Sequence, residues 1–366
     1  MPILTTLVMG QFRSHPATRL ALDDRPIALF GANGAGKTNI LEAVSLFSPG
    51  RGMRRASAED MARRSLGAGW KLSGTVKSDQ GLREVETWSE AGAARQVRID
   101  GKAASQIDLG QVASVVWLTP AMDRLWIEAA EGRRRFLDRM VLSFDPRHAA
   151  HALTYEKAMR ERNRLLKDQV RDASWYAALE AQMADSGHEI QMARERVLAE
   201  LVTAQAQAKT LFPVAELALV QSEGEMPATV SDLRDAFAES RFRDIAAGRT
   251  LVGPHRADLY GAFAAKGVPA RACSTGEQKA LLISLILANA RALLERSGTA
   301  PMLLLDEVAA HLDADRRAAL YDEICALGVQ AWMTGTGPEL FEDLGHRTQR
   351  FEVVEVAGDS RVEFRQ

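Results

Sequence analysis

Apolar residues near the start of the chain fall in short runs, and residues 2–9 and 26–30 read as strands. The second run passes straight into a Gly-rich turn and then a helical spacing over 37–47, so the order is strand, loop, helix. Between 70 and 100 apolar and polar positions alternate, with turn signals at 78–81 and 90–92, the pattern of an antiparallel meander. Residues 114–118 form one more apolar strand, ended by Pro120.

Beyond Pro120 glycine becomes scarce, Ala, Arg, Glu and Gln take over, and the period becomes helical. Tyr155, Met159, Leu166 and Val170 are spaced four, seven and four. Leu179, Met183, Ile190, Val197 and Leu201 are spaced four, seven, seven and four. Two helices with such stripes can pair as a hairpin. The break falls near Asp172 to Ser174, where either residue can cap the second helix, and Phe212-Pro213 ends it. At roughly 1.5 Å per residue this makes an arm of about 50 Å at most. A further helix is predicted over 231–247, and Gly248 marks a return to strands at 250–264. From Gly276 the order is helix (277–296), strand (301–305), helix (314–327) and strand (329–334), α/β alternation again.

With 366 residues and roughly 150 per domain, two domains are expected. The pattern assigns 1–120 and 249–366 to a split α/β head and 121–248 to an inserted helical arm. Hydrophobic residues are 46% and charged residues 26%, which supplies a sizeable core and excludes general disorder. Lys and Arg number 46 against 48 Asp and Glu, so no overall positive field holds nucleic acid or an anionic membrane, and such binding must use local patches. Two cysteines, Cys273 and Cys325, are too few for a disulfide framework and lack the neighbours of a zinc site. Residues 1–9 lack the basic start and long apolar core of a signal peptide, and the longest apolar stretch, 281–288, is broken by Ser284. A cytoplasmic protein that does not enter a membrane is expected.

Gly31-Ala32-Asn33-Gly34-Ala35-Gly36-Lys37-Thr38 fits a phosphate-binding loop. Its glycines let the backbone wrap a triphosphate, its N–H groups and the following helix start attract negative charge, Lys37 reaches the β- and γ-phosphates, and Thr38 ligates magnesium. Residues 302–305 form an apolar strand ending in Asp306 and Glu307. Successive side chains on a strand diverge, so Asp306 can face the metal while Glu307 faces the attacking water as general base. Ser274-Thr275-Gly276-Glu277-Gln278 opens the helix before that strand. Ser274 and Glu277 have capping-box spacing, and the same helix start can also address a γ-phosphate.

These segments, with Ala310-His311-Leu312-Asp313, resemble the phosphate loop, acidic strand end, signature and D-loop of an ABC-type P-loop ATPase head of the SMC-like kind. The short arm narrows the resemblance to the RecF family of bacterial recombinational repair proteins. Further support comes from Gly10-Gln11-Phe12-Arg13, from 132–138, from Gly253-Pro254-His255-Arg256-Ala257-Asp258-Leu259 and from Met333-Thr334-Gly335-Thr336, so it spans nearly the whole chain. Where the family usually has Pro-Glu-Asp-Leu this chain has Pro120-Ala121-Met122-Asp123-Arg124-Leu125, and Asp123 is taken as the residue coupling the lobes. Thr334 and Thr336 stand where transporter-type cassettes carry a switch histidine.

The resemblance implies two ATP molecules sandwiched between two subunits. Gly31 to Thr38 and Asn39 would then hold ATP in cis, Thr38 and Asp306 the Mg2+, and Lys37 and Glu307 would be catalytic. Ser274 and Gly276 would reach the partner's ATP, Gln278 would belong to the nucleotide site, and Asp313 would lie near the dimer seam. It implies an ATP-dependent homodimer acting at DNA gaps on double- and single-stranded DNA, and a weak DNA-stimulated ATPase serving as a switch. The implied partners are a RecR-like mediator, with RecO and the RecA recombinase downstream, in replication restart and SOS induction. Basic clusters at Arg51, Arg54 and Arg55, at Arg63 and Arg64, and at Arg133 to Arg135 are candidates for surface charge, the first of them for DNA-phosphate contact. A transporter ATPase subunit is the alternative, disfavoured by the helical insertion and the missing histidine. A phosphoryl transferase would leave the signature segment unexplained.

Overall fold

A computed structural model describes residues 1–63, 69–79, 81–91 and 93–365, with His311 described by its backbone alone. The expectations for Arg64 and for the turn tips at Gln80 and Gly92 therefore lie outside the described residues. The chain opens with β1 (Ile3–Phe12), β2 (His15–Ala21), β3 (Ile27–Phe30), α1 (Lys37–Ser45) and the short α2 (Ala58–Met61). Five strands follow: β4 (Trp70–Ser78), β5 (Gly81–Ser89), β6 (Gln96–Ile99), β7 (Lys102–Ala104) and β8 (Val115–Leu118). Next come α3 (Ala130–Phe144), α4 (His148–Lys167), α5 (Ala173–Gln207), β9 (Ala215–Gln221), α6 (Val230–Ala247), β10 (Ala257–Phe263) and β11 (Val268–Pro269). The last part holds α7 (Thr275–Ser297), β12 (Met302–Leu305), α8 (Ala314–Leu327), β13 (Ala331–Gly335), β14 (Gln349–Val356) and β15 (Asp359–Arg365).

Two compact units result. Unit 1 is Met1–Arg124, Ala204–Val214 and Ser274–Gln366, and unit 2 is Leu125–Thr203 and Ala215–Cys273. In unit 1, β3, β8, β12 and β13 are buried at every position, the mark of strands covered on both faces. They pair in parallel in a sheet of order β15-β14-β3-β13-β12-β8, closed at one edge by the antiparallel β15. A second sheet, β2-β1-β4-β5-β6-β7, is antiparallel throughout. Helix α1 packs into one core with both: Ile40 and Val44 share it with Leu4 and Leu72 of one sheet and Leu29 and Trp332 of the other.

Unit 2 carries the helical stripes. Tyr155, Ala158, Met183, Ile190, Leu233 and Phe237 form its core. Helix α5 is 35 residues long, about 52 Å at 1.5 Å per residue. The unit boundaries differ from those read off the sequence, which stood at 120/121 and 248/249. Strand β9, hidden in a helix-rich stretch, pairs with β10 along Ala257 to Phe263, so residues up to Cys273 belong with the helices and not with the head. No helix among the described residues is long and apolar enough to cross a membrane.

Candidate functional site

Parallel register brings three strand ends to one edge of the sheet. Leu305 lies opposite Met333, and Met333 opposite Ala28, so Gly31, Thr334 and Asp306 follow the same edge of β3, β13 and β12. Ligands of open α/β sheets bind at such carboxyl ends. The loop leaving β3 needs glycine at two points in particular. Gly31 has φ 145°, and a Cβ there would lie 2.1 Å from the Val353 carbonyl oxygen; Gly36 has φ 107°, and its Cβ would lie 2.2 Å from Ser360 Oγ. Ala32, Asn33 and Gly34 are exposed, Ala35 is buried, and Gly36 is the N-cap of α1.

Lys37 is 4% exposed, and its ammonium donates to the carbonyls of Gly31 at 2.6 Å and Ala32 at 2.8 Å. Burial lowers its pKa below the ordinary lysine value, and the Glu307 and Asp306 carboxylates partly oppose this. Thr38 Oγ1 donates to Asp306 Oδ1 at 2.9 Å, and Thr334 Oγ1 donates to the same oxygen at 2.8 Å. Thr334 Oγ1 in turn accepts the Glu307 N–H at 2.8 Å. Glu307 stands at φ 53°, a left-handed backbone that a non-glycine residue adopts only under constraint. Thus Asp306 is held by the two threonines, while the chain takes a left-handed turn at Glu307.

Ser274 caps α7 in a reciprocal box, its N–H and hydroxyl donating to Glu277 Oε2 at 2.8 and 2.9 Å. Capping leaves the segment presented to solvent: Ser274, Thr275 and Gly276 are exposed, and a Cβ on Gly276 would meet nothing within 4 Å. Gln278 is buried. Asp313 caps α8 by accepting from the Arg316 N–H at 2.9 Å and is exposed. Asp123 Oδ2 lies 3.5 Å from Lys279 Nζ, and its buried Oδ1 has no hydrogen-bond partner among the described residues.

Charge clusters that look alike in sequence behave differently. Arg51, Arg54 and Arg55 are all exposed, and Arg54 also donates to Asn39 Oδ1 at 2.8 Å and approaches the fully buried Glu42 carboxylate at 3.4 Å. Arg63 pairs with Asp359. Arg133 forks onto Asp258 at 2.7 and 2.9 Å, Arg134 donates to the Ala257 carbonyl at 2.7 Å, and Arg135 pairs with Glu131. The 133–135 cluster is therefore a brace inside unit 2. Three polar residues that the motifs did not single out touch the phosphate-type loop: His15, Ser14 and Ser360. Their only signal in the sequence is that Ser14 and His15 follow Gly10-Gln11-Phe12-Arg13.

His255 is an anchor of unit 2. Its Nδ1 accepts from Tyr155 Oη at 2.7 Å while Nε2 donates to the Thr250 carbonyl at 3.0 Å, a neutral tautomer. Burial lowers its pKa to about 4, aided by Arg256, Arg134 and Arg162 and opposed by the bond to Thr250. The unfolded chain therefore takes up the proton first. Stability is complete above the ordinary histidine pKa and is lost as pH falls from there toward 4, by up to about 3 kcal/mol at about 1.4 kcal/mol per pH unit. Urea unfolding across that range checks this: a His255→Asn variant should show a shallower dependence, and an unchanged slope would assign the loss elsewhere.

A family model described as RecF/RecN/SMC N terminal domain matches residues 3–355. The DNA replication and repair protein RecF of Rhizobium rhizogenes is 47% identical over 361 residues, covering 96% of each chain. Its counterpart from Rhizobium meliloti is 45% identical over 361 residues, again 96% of each. Among solved structures, the chain resembles the recombination mediator protein RecF with ATP in the RecFOR pathway, at TM-score 0.84 and 22% identity, covering 100% of this chain and 98% of that one. It also resembles the Smc head domain with an extended coiled coil from Pyrococcus furiosus, at TM-score 0.59 and 16% identity, covering 100% and 97%.

Proposed function

Because this chain belongs to the RecF family, we propose that it is an ATP-dependent, DNA-binding protein of recombinational repair and DNA replication that dimerises on ATP at gaps and junctions. Its fold is that of the ABC-type ATPase heads, with a helical unit inserted. The relatives are DNA replication and repair proteins, which removes the transporter reading.

One observation carries the chemistry: the Gly31 to Thr38 loop, Asp306 and Thr334 converge at three adjacent strand ends, while Ser274 to Gly276 stand exposed on a capped helix start. The residues fit a nucleoside triphosphate with magnesium. Loop N–H groups, the α1 N-terminus and Lys37 suit the phosphates, and the Thr38 hydroxyl with the Asp306 carboxylate forms an all-oxygen pair suited to a hard cation. Mg2+, when bound, would neutralise phosphate charge. Glu307 would take the proton of the attacking water, Asn39 and Gln278 would flank the nucleotide, and Asp313 would lie at the seam between two copies.

In this reading ATP closes a homodimer over DNA and slow, DNA-stimulated hydrolysis opens it. The closed form recruits a RecR-like mediator, with RecO and RecA loading downstream, in replication restart and SOS induction in the cytoplasm. Arg51, Arg54 and Arg55, all exposed, are the candidates for phosphate contact, which would be salt-sensitive and indifferent to sequence. Ser274→Arg tests the shared site. The bulky cation should leave ATP binding to the loop intact and abolish ATP-driven dimers in sedimentation; undiminished dimers would take Ser274 out of the site. ATP turnover and oligomeric state measured together, with and without gapped DNA, test the reading as a whole.

A further inference from the structure

Two carbonyls on the outer side of the phosphate-type loop are held by buried side chains from distant strands. Ser360, 2% exposed on β15, donates its hydroxyl proton to the Ala35 carbonyl at 2.6 Å. His15, 0% exposed on β2, faces the Gly36 carbonyl through Nε2 at 3.1 Å, with Nδ1 3.0 Å from Thr18 Oγ1. Gly36 accommodates both because it has no side chain: a Cβ there would lie 2.8 Å from Ser14 Oγ and 3.0 Å from His15 Nε2, besides its clash with Ser360.

A trans peptide is planar, with its C=O and N–H pointing opposite ways. Holding the Ala35 oxygen therefore aims the Gly36 N–H, and holding the Gly36 oxygen aims the Lys37 N–H. We propose that His15 and Ser360 are positioning residues that pre-orient these two N–H groups toward the phosphates of a bound nucleotide, an inference that rests on the ATP-binding reading above.

Proton counting gives the supporting network a direction. Ser360 has one hydroxyl proton and spends it on Ala35, so at 2.6 Å its oxygen accepts from the Ser14 hydroxyl. Ser14 then accepts from Asn39 Nδ2 at 2.8 Å, and Asn39 Oδ1 accepts from Arg54 at 2.8 Å. Every donor from Arg54 to Ser360 points toward the loop, an arrangement in which neighbouring bonds polarise one another. The backbone adds a clamp, the Ser360 N–H donating to the Ser14 carbonyl at 2.8 Å. Burial also keeps His15 below the ordinary histidine pKa and thus neutral, with Nε2–H donating to Gly36 and Nδ1 accepting from Thr18.

The test compares Ser360→Ala, His15→Leu and His15→Gln with the parent protein in ATP and ADP binding and in steady-state hydrolysis. Loss of one oriented loop bond should raise Kd and KM on the order of ten-fold while kcat changes less than two-fold. His15→Gln, which returns an N–H near the Nε2 position, should recover most of the loss. Ser14→Ala removes the donor to Ser360 and the acceptor of Asn39 Nδ2 while leaving both loop carbonyl bonds in place, and should give a smaller rise of the same kind, which keeps the test open should Ser360→Ala fold poorly. Parent-like Kd and KM in Ser360→Ala, His15→Leu and Ser14→Ala would overturn the proposal, as would a defect in His15→Leu that His15→Gln does not relieve. A parent protein that binds no ATP would instead overturn the reading on which it rests.

Discussion

Glu307→Gln is expected to lower ATP turnover by about two to four orders of magnitude, the range for removing a general base, while ATP affinity stays within a few-fold of the parent. Asp306 is committed to the two threonines, its Oδ1 receiving the hydroxyls of Thr38 and Thr334. Glu307 is the adjacent carboxylate, set on a left-handed backbone whose N–H donates to Thr334 Oγ1, and its charge acts on the Lys37 ammonium. Glutamine keeps the length and hydrogen-bonding of the side chain but has no basic oxygen. ATP then binds and is not consumed, so the closed dimer should accumulate. Sedimentation of Glu307→Gln with ATP and magnesium reads this directly. A persistent monomer would count against closure, and parent-like turnover would remove Glu307 from the chemistry.

What was legible in the sequence follows from where each signal resides. The loop, the acidic strand end and the buried parallel strands are local patterns: four consecutive apolar residues at 27–30, 115–118 and 302–305 are enough to mark strands buried on both faces. Strand β9 was not, since its apolar Leu217 and Leu219 are only half-buried and lie within an alanine- and glutamate-rich stretch. Strands β14 and β15 alternate with Arg and Glu and carry no turn signal beyond Gly358. The Ser14 to Ser360 contact spans 346 positions, so nothing local announces it. Arg54 is exposed like its neighbours Arg51 and Arg55, and only tertiary structure reveals that it also bonds Asn39 and Glu42.

Arg162 is the site where the helical pattern itself hid a residue. Met159 and Leu166 are seven positions apart, and the turn between them places Arg162 on the same inward face. It is 0% exposed, and its guanidinium donates to Glu180 at 3.1 Å, Asp244 at 2.7 Å, Thr250 Oγ1 at 2.9 Å and the Phe237 carbonyl at 2.9 Å. Arg241 pairs with Glu180 from the half-buried side, so two cations face two carboxylates in the interior of unit 2. Arg162→Met should therefore destabilise unit 2 by about 3–5 kcal/mol, because the buried Asp244 carboxylate loses its cation while the desolvation of that carboxylate remains. The same argument predicts that adding Asp244→Asn recovers a large part of the loss, although it removes a second charged group. Hydrogen exchange of α4 and α6 in the single and double variants measures this without assuming that both units unfold together. If the double variant is weaker by the full sum of the two single losses, the cluster acts as independent contacts and not as a charge-balanced core.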